Sequence, residues 1–190
     1  MRPAALLAAA VVVAAPLLLA ATDSHLVAAP TALVASTVTG ALAVSALTLQ
    51  PVLAARRLHW HQAVGLVALV LVLAHLGALF IYSPGDAWFA MSPDGPTRAR
   101  MALISLIALL VVATLGLGRD RLPLARTSWR ILHAYFATVA IVLGFGHAIL
   151  TDGALDDAGT VVLMALGCAA VLAIPAAHVA RTRRGRVDTN

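Results

Sequence analysis

The sequence predicts an all-α, polytopic membrane protein, a bundle of six transmembrane helices. Three observations predict it. The 190-residue chain is 62% apolar and 11% charged, with a mean hydropathy of +0.96, whereas a soluble domain carries about 25% charged residues. Six apolar runs, near 4–21, 31–53, 60–82, 100–118, 130–150 and 159–180, are long enough to cross a hydrocarbon core of about 30 Å. The arginines cluster between alternate runs, as the positive-inside rule requires.

The first run follows Arg2 and ends on the small residues Ala20 and Ala21, a pattern shared with signal peptides. It is longer than a usual signal core, so a retained helix is expected, and Pro16 inside it is tolerable in a membrane. The 22–30 loop holds Asp23 and His25 and no arginine. The 54–59 turn holds Arg56 and Arg57, and the 119–130 loop holds Arg119, Arg121, Arg126 and Arg130. Between them, 83–99 is a Pro/Gly-rich loop with only Arg98 near its end, and 151–158 carries Asp152, Asp156 and Asp157. The tail, 181–190, is again basic. Both termini and the arginine loops are therefore expected in the cytoplasm. Trp60, Tyr82, Trp88 and Trp129 lie near run ends, as interfacial aromatics do.

The basic balance, net +5, is thus spent on orientation rather than on a nucleic-acid-binding face. The lack of lysine beside abundant alanine hints at a GC-rich bacterial genome and hence a bacterial inner membrane. The single Cys168 cannot form an intrachain disulfide. Residues 1–190 read as one transmembrane domain ending in the short basic tail.

Four histidines carry the chemistry. His61 and His75 are fourteen residues apart in the third run, and His133 and His147 fourteen apart in the fifth. Fourteen residues are roughly four helical turns, so each pair shares a face and is separated by roughly 21 Å along the axis. Both runs go from cytoplasm to outside, so His61 is level with His133 and His75 with His147. Ionisable residues inside a membrane are functional by default, and two levels of facing imidazoles suit two stacked bis-histidine haems. The faces between them, Gly65, Ala68 and Val72 on one run and Ala137, Ala140 and Gly144 on the other, are small. A flat macrocycle needs such room, although small stripes also serve ordinary membrane helix packing.

The remaining histidines divide differently. His25 and His178 read as hydrated interfacial residues, and His59 as a headgroup residue or a partner for a haem propionate. Arg57 and Arg130, near the inner level, are candidate propionate partners as well as topology signals. Positive charge there favours reduced iron, so this local effect alone gives the inner haem the higher potential. Two other readings of the chain are a small transporter with a histidine proton relay and a haem-free structural subunit. The first predicts acidic partners within the runs, which contain no Asp or Glu, and the second gives no reason for matched spacing.

The stretch from Arg56-Arg57-Leu58-His59-Trp60-His61 to His75-Leu76, with Trp129-Arg130-Ile131-Leu132-His133-Ala134-Tyr135 to His147-Ala148, resembles the ferric reductase-like transmembrane domain. This family includes ferric reductases, NADPH oxidases and the haem membrane subunit of a bacterial methionine sulfoxide reductase system. The resemblance spans about residues 30–180. It implies that His61, His75, His133 and His147 ligate two b-type haems that pass electrons outward across the membrane. Ferric reductases and NADPH oxidases continue into a flavin- and nicotinamide-binding domain. Here the sequence runs about ten residues past the sixth run and holds no G-x-G-x-x-G loop. The expected electron donor is thus a separate flavoprotein, quinol or a surface flavin, and the expected acceptor lies at the outer face.

Overall fold

The computed structural model describes residues 3–22, 26, 28–56, 58–151 and 157–187, with side chains described for these except 3–6, 22, 56, 157–158 and 176–187. Arg57, His25, Asp152 and Asp156 lie outside the described residues, as do the side chains of Asp157, His178 and the basic tail. The described residues form seven helices: α1 (Pro3–Thr22), α2 (Thr31–Arg56), α3 (Leu58–Tyr82), α4 (Pro84–Met91), α5 (Thr97–Leu117), α6 (Arg126–Ile149) and α7 (Asp157–Val187). The third and fifth apolar runs are α3 and α6. Four helices are long and apolar enough to cross a membrane: α2 over Thr31–Ala55, α3, α5 and α6. In α1 and α7 the apolar stretches among the described residues are shorter, Leu7–Ala21 and Gly159–Pro175.

Two antiparallel hairpins organise the bundle. In one, α2 packs along α3, and in the other α5 packs along α6. Helix α2 is central, because it also contacts α1, α7 and, more sparsely, α6. The main core brings together Val44, Ala46 and Leu47 of α2, Ala68 of α3, Ala108 and Leu109 of α5, Ala140, Ile141 and Phe145 of α6, and Leu163 and Ala170 of α7. Outside it, Leu66, Val67, Val70 and Leu73 of α3 and Ile104, Ile107 and Leu110 of α5 are exposed. Such apolar surface is a liability in water and ordinary in lipid.

Polar side chains inside the helices are bonded locally. Ser45 Oγ donates to the Ala41 carbonyl oxygen at 2.9 Å and Thr48 Oγ1 to that of Val44 at 2.9 Å. Others bond across helices, as Ser105 Oγ of α5 does in donating to the Ala140 carbonyl oxygen of α6 at 2.7 Å. Gly144 permits this approach, since a Cβ there would lie 3.1 Å from Ser105 Oγ.

Two connections differ from the sequence expectation. The 54–59 turn is almost absent, because α2 ends at Arg56 and α3 begins at Leu58. The Pro/Gly-rich 83–99 segment contains a helix, α4. Ser83 is extended at its N-cap, Pro84 takes the first turn where a missing N–H costs nothing, and Asp86 complements the helix dipole there. Ser83 Oγ also donates to Asp86 Oδ2 at 2.7 Å. The helix is held to α3 by Trp88, edge-on to Phe80 at 5.3 Å between ring centres.

Candidate functional site

The histidine helices α3 and α6 do not pack closely on each other; each is backed by its own hairpin partner. Their histidines nevertheless meet. The ring centres of His61 and His133 are 6.1 Å apart with planes at 65°, and those of His75 and His147 are 6.1 Å apart at 69°. This pairing makes α3 and α6 parallel. It also puts the α2–α3 junction and the 118–125 loop at one end of the bundle, with α4 at the other. Ala68 and Ala140 lie midway between the two levels in sequence and are 0% and 1% exposed, so packed core separates the levels.

The two separations agree with a metal held between imidazoles. Were both ring nitrogens to face one metal in line, two bonds of about 2.0 Å, with each nitrogen about 1.1 Å from its ring centre, would put the ring centres roughly 6.2 Å apart. Among the described residues no group of three or more His, Cys, Asp or Glu side chains converges. Each level brings together two imidazoles, and a haem macrocycle would supply the remaining positions of a metal held between them. The residues fit that group.

Hydrogen bonds fix the ring nitrogen that the two outer histidines present. His75 Nδ1 lies 2.8 Å from the Ser36 carbonyl oxygen, and His147 Nδ1 lies 3.1 Å from that of Arg98. A carbonyl oxygen only accepts, so each Nδ1 carries the proton and a neutral ring keeps its lone pair on Nε2. Ser36 adds a second contact, its Oγ donating to the His75 carbonyl oxygen at 3.1 Å. Gly40 lets the ring seat there, because a Cβ would stand 3.0 Å from His75 Nδ1.

The inner level is held by other means. His61 Nδ1 is 3.3 Å from the Gln50 carbonyl oxygen, and the nearest Gln50 side-chain amide atom is 2.7 Å away. With nitrogen in that place the amide donates to Nδ1. With oxygen there it accepts Nδ1–H, in agreement with the main-chain contact, but it then faces the His61 carbonyl oxygen at 3.2 Å and turns the amide nitrogen to the Gly65 nitrogen at 3.0 Å, two contacts that the other orientation satisfies. His133 is stacked on Trp129, ring centres 5.0 Å apart and planes at 21°. Trp129 in turn donates Nε1–H to the Leu115 carbonyl oxygen at 2.7 Å and lies under the Arg119 guanidinium, 4.7 Å from the ring centre.

The other sequence candidates fall differently. Arg130 is exposed in the first turns of α6, and His59 is exposed beside Trp60. Trp60, Tyr82 and Trp88 are exposed as expected of interfacial aromatics, but Trp129 is partly buried against His133. The small stripes also admit neighbours: the Cβ missing at Gly65 would meet Gln50, and the one missing at Gly144 would meet Ser105. Sequence reasoning missed Ser36, Gln50, Arg98 and Trp129 as supports. A signal existed for two of them, since Ser36 and Gln50 repeat the fourteen-residue spacing one helix earlier.

No curated protein and no solved structure matches this chain. The family model of the ferric reductase like transmembrane component matches residues 26–144, well over half of the sequence. The match includes His61, His75 and His133 and stops three residues before His147, whose place in the outer pair rests on the geometry above. The chain belongs to the ferric reductase-like transmembrane family.

Proposed function

We propose that this protein carries electrons across a bacterial inner membrane on two b-type haems, one between His61 and His133 and one between His75 and His147. One observation carries the reading: two histidine pairs at the same 6.1 Å separation, on parallel helices. Membership of the ferric reductase-like family supports a redox role in the membrane. Haem iron supplies reversible one-electron chemistry, and bis-imidazole ligation suits it to transfer rather than to binding oxygen.

The protein's part is to hold and orient. The main-chain carbonyls of Ser36, Arg98 and Gln50 accept from Nδ1–H of His75, His147 and His61, which leaves the lone pair of each ring on Nε2 for the iron. Such outer partners raise ligand basicity and fix ring orientation. Arg57 and Arg130 are assigned as propionate partners at the inner level. The arginine-bearing end faces the cytoplasm, with both termini. A separate flavoprotein or quinol donates there, and an acceptor takes electrons at the outer face.

The test is the absorption spectrum and haem content of the purified protein. Two haems per chain with a low-spin, bis-histidine reduced spectrum are expected. A protein expressed with ample haem supply that purifies without haem absorption overturns the proposal.

A further inference from the structure

The two levels are not built alike. Both outer histidines direct Nδ1 at a main-chain carbonyl, with separations of 2.8 and 3.1 Å. At the inner level, His133 is stacked instead on an indole that also carries a guanidinium. Trp129 is fixed between α5 and α6 by its bond to Leu115 at 2.7 Å. Gly116, one residue on, lies beside the imidazole, where a Cβ would make ordinary contact with His133 Cε1 at 3.9 Å. The order Arg119, Trp129, His133 thus runs from the exposed 118–125 loop to the ring facing His61.

We infer that Arg119, acting through Trp129, is a positioning residue that raises the reduction potential of the inner haem. The inference rests on the proposed haem ligation. A cation against an indole is held by the ring quadrupole and is most effective where water is excluded from the stacked face. A fixed positive charge disfavours the more positive, oxidised iron, and its pull on the indole is passed to the stacked imidazole, which becomes a weaker electron donor to the metal. Trp129 is the ring that both the guanidinium and the imidazole contact. Arg119 is exposed, so salt screens part of the effect. Removing the charge should lower the ratio of reduced to oxidised inner haem, at a fixed applied potential, by about fivefold. Arg98 belongs to the outer level, where its carbonyl holds His147, so the outer haem should not respond to Arg119.

Potentiometric titration of the haem-loaded full chain tests this, with Arg119→Gln, Trp129→Leu and the double variant. Electron paramagnetic resonance of the oxidised protein follows each haem separately. With Arg119→Gln, the inner haem should titrate at lower potential while the outer haem and the haem content stay unchanged. In the Trp129→Leu background the same substitution should have a much smaller effect, which isolates the coupling between the two residues. Arg119→Lys should restore much of the shift, because lysine also makes a cation–π contact. Unmoved potentials with Arg119→Gln, equal shifts of both haems, or a full shift without Trp129 would overturn the inference. A parent protein without bis-histidine haem overturns the proposed function and this inference with it. A parent with two haems and an inert Arg119 overturns this inference alone.

Discussion

His75 Nδ1 points at the Ser36 carbonyl oxygen from 2.8 Å, so a main-chain atom of α2 sets the tautomer of a histidine on α3. The bond belongs to the α2–α3 hairpin and does not need the partner helix α6. His147 is anchored in the same way within the α5–α6 hairpin, on the Arg98 carbonyl at 3.1 Å. Each hairpin therefore orients its own outer imidazole by a bond internal to it. The levels are separated by the packed Ala68 and Ala140, which suits independent filling of the two sites.

That independence gives the first prediction. His75→Ala or His147→Ala should remove about one haem per chain and leave the His61–His133 site largely occupied. Haem-to-protein ratio by the pyridine haemochromogen method measures it. Both variants retaining full haem and an unaltered spectrum would contradict the outer-site assignment.

The seat of the His75 ring gives a second. A Cβ at Gly40 would stand 3.0 Å from Nδ1 and 3.3 Å from Cε1. Valine there should push the ring off the Ser36 carbonyl and empty or distort the outer site, with the inner spectrum unchanged. Gly77, two residues after His75, has nothing within 4 Å of its missing Cβ. Gly77→Ala should keep both haems and stabilise α3 by about 0.5–1 kcal/mol, the usual gain from replacing glycine in a helix. Equal haem loss in the two variants would mean that ring seating is not the cause.

Much of this was legible in the sequence, for physical reasons. Apolar runs report bilayer thickness, and histidines fourteen apart report a shared helical face, so the spans α2, α3, α5 and α6 and the level pairing could be read directly. The supports were harder to read. Ser36 and Arg98 bond the imidazoles through main-chain carbonyls, which every residue possesses, so side-chain identity says little about the role. Trp129 carries the signature of an interfacial aromatic, and only the turn after Gly118 brings Arg119 over its ring. Helix α4 was obscured because Pro84 and Gly85 resemble loop residues, although Pro at the first position and Asp86 in the first turn are equally helix-start signals.

The α5–α6 hairpin supplies a stability prediction. Ser105 is 9% exposed, and its Oγ donates to the Ala140 carbonyl oxygen at 2.7 Å, between the histidine levels. Interhelical hydrogen bonds in membranes average about 0.6 kcal/mol, with a maximum near 1.7 kcal/mol. Ser105→Ala should destabilise the protein within that range in a detergent unfolding assay while both haem spectra stay intact. Loss of one haem before any loss of fold would give Ser105 a role at a site instead.

The final prediction concerns orientation, on which the direction of electron flow depends. The pairing of His61 with His133 puts the α2–α3 junction and the 118–125 loop at one end, and α4 follows α3 at the other. Arg56 marks the first end together with Arg119 and Arg121, whereas α4 carries Asp86 and the first turn of α5 carries Arg98 and Arg100 at the second. Positive-inside counting weighs arginines near span ends, so the first end belongs in the cytoplasm despite Arg98 and Arg100 opposite. Arg121 is exposed, and Gly85 is exposed with open space beyond its missing Cβ. In a Cys168→Ser background, a membrane-impermeant maleimide applied to intact spheroplasts should label Gly85→Cys and leave Arg121→Cys unlabelled until the membrane is opened. The reverse pattern would place the Arg119–Trp129–His133 stack at the outer face and turn the proposed route around.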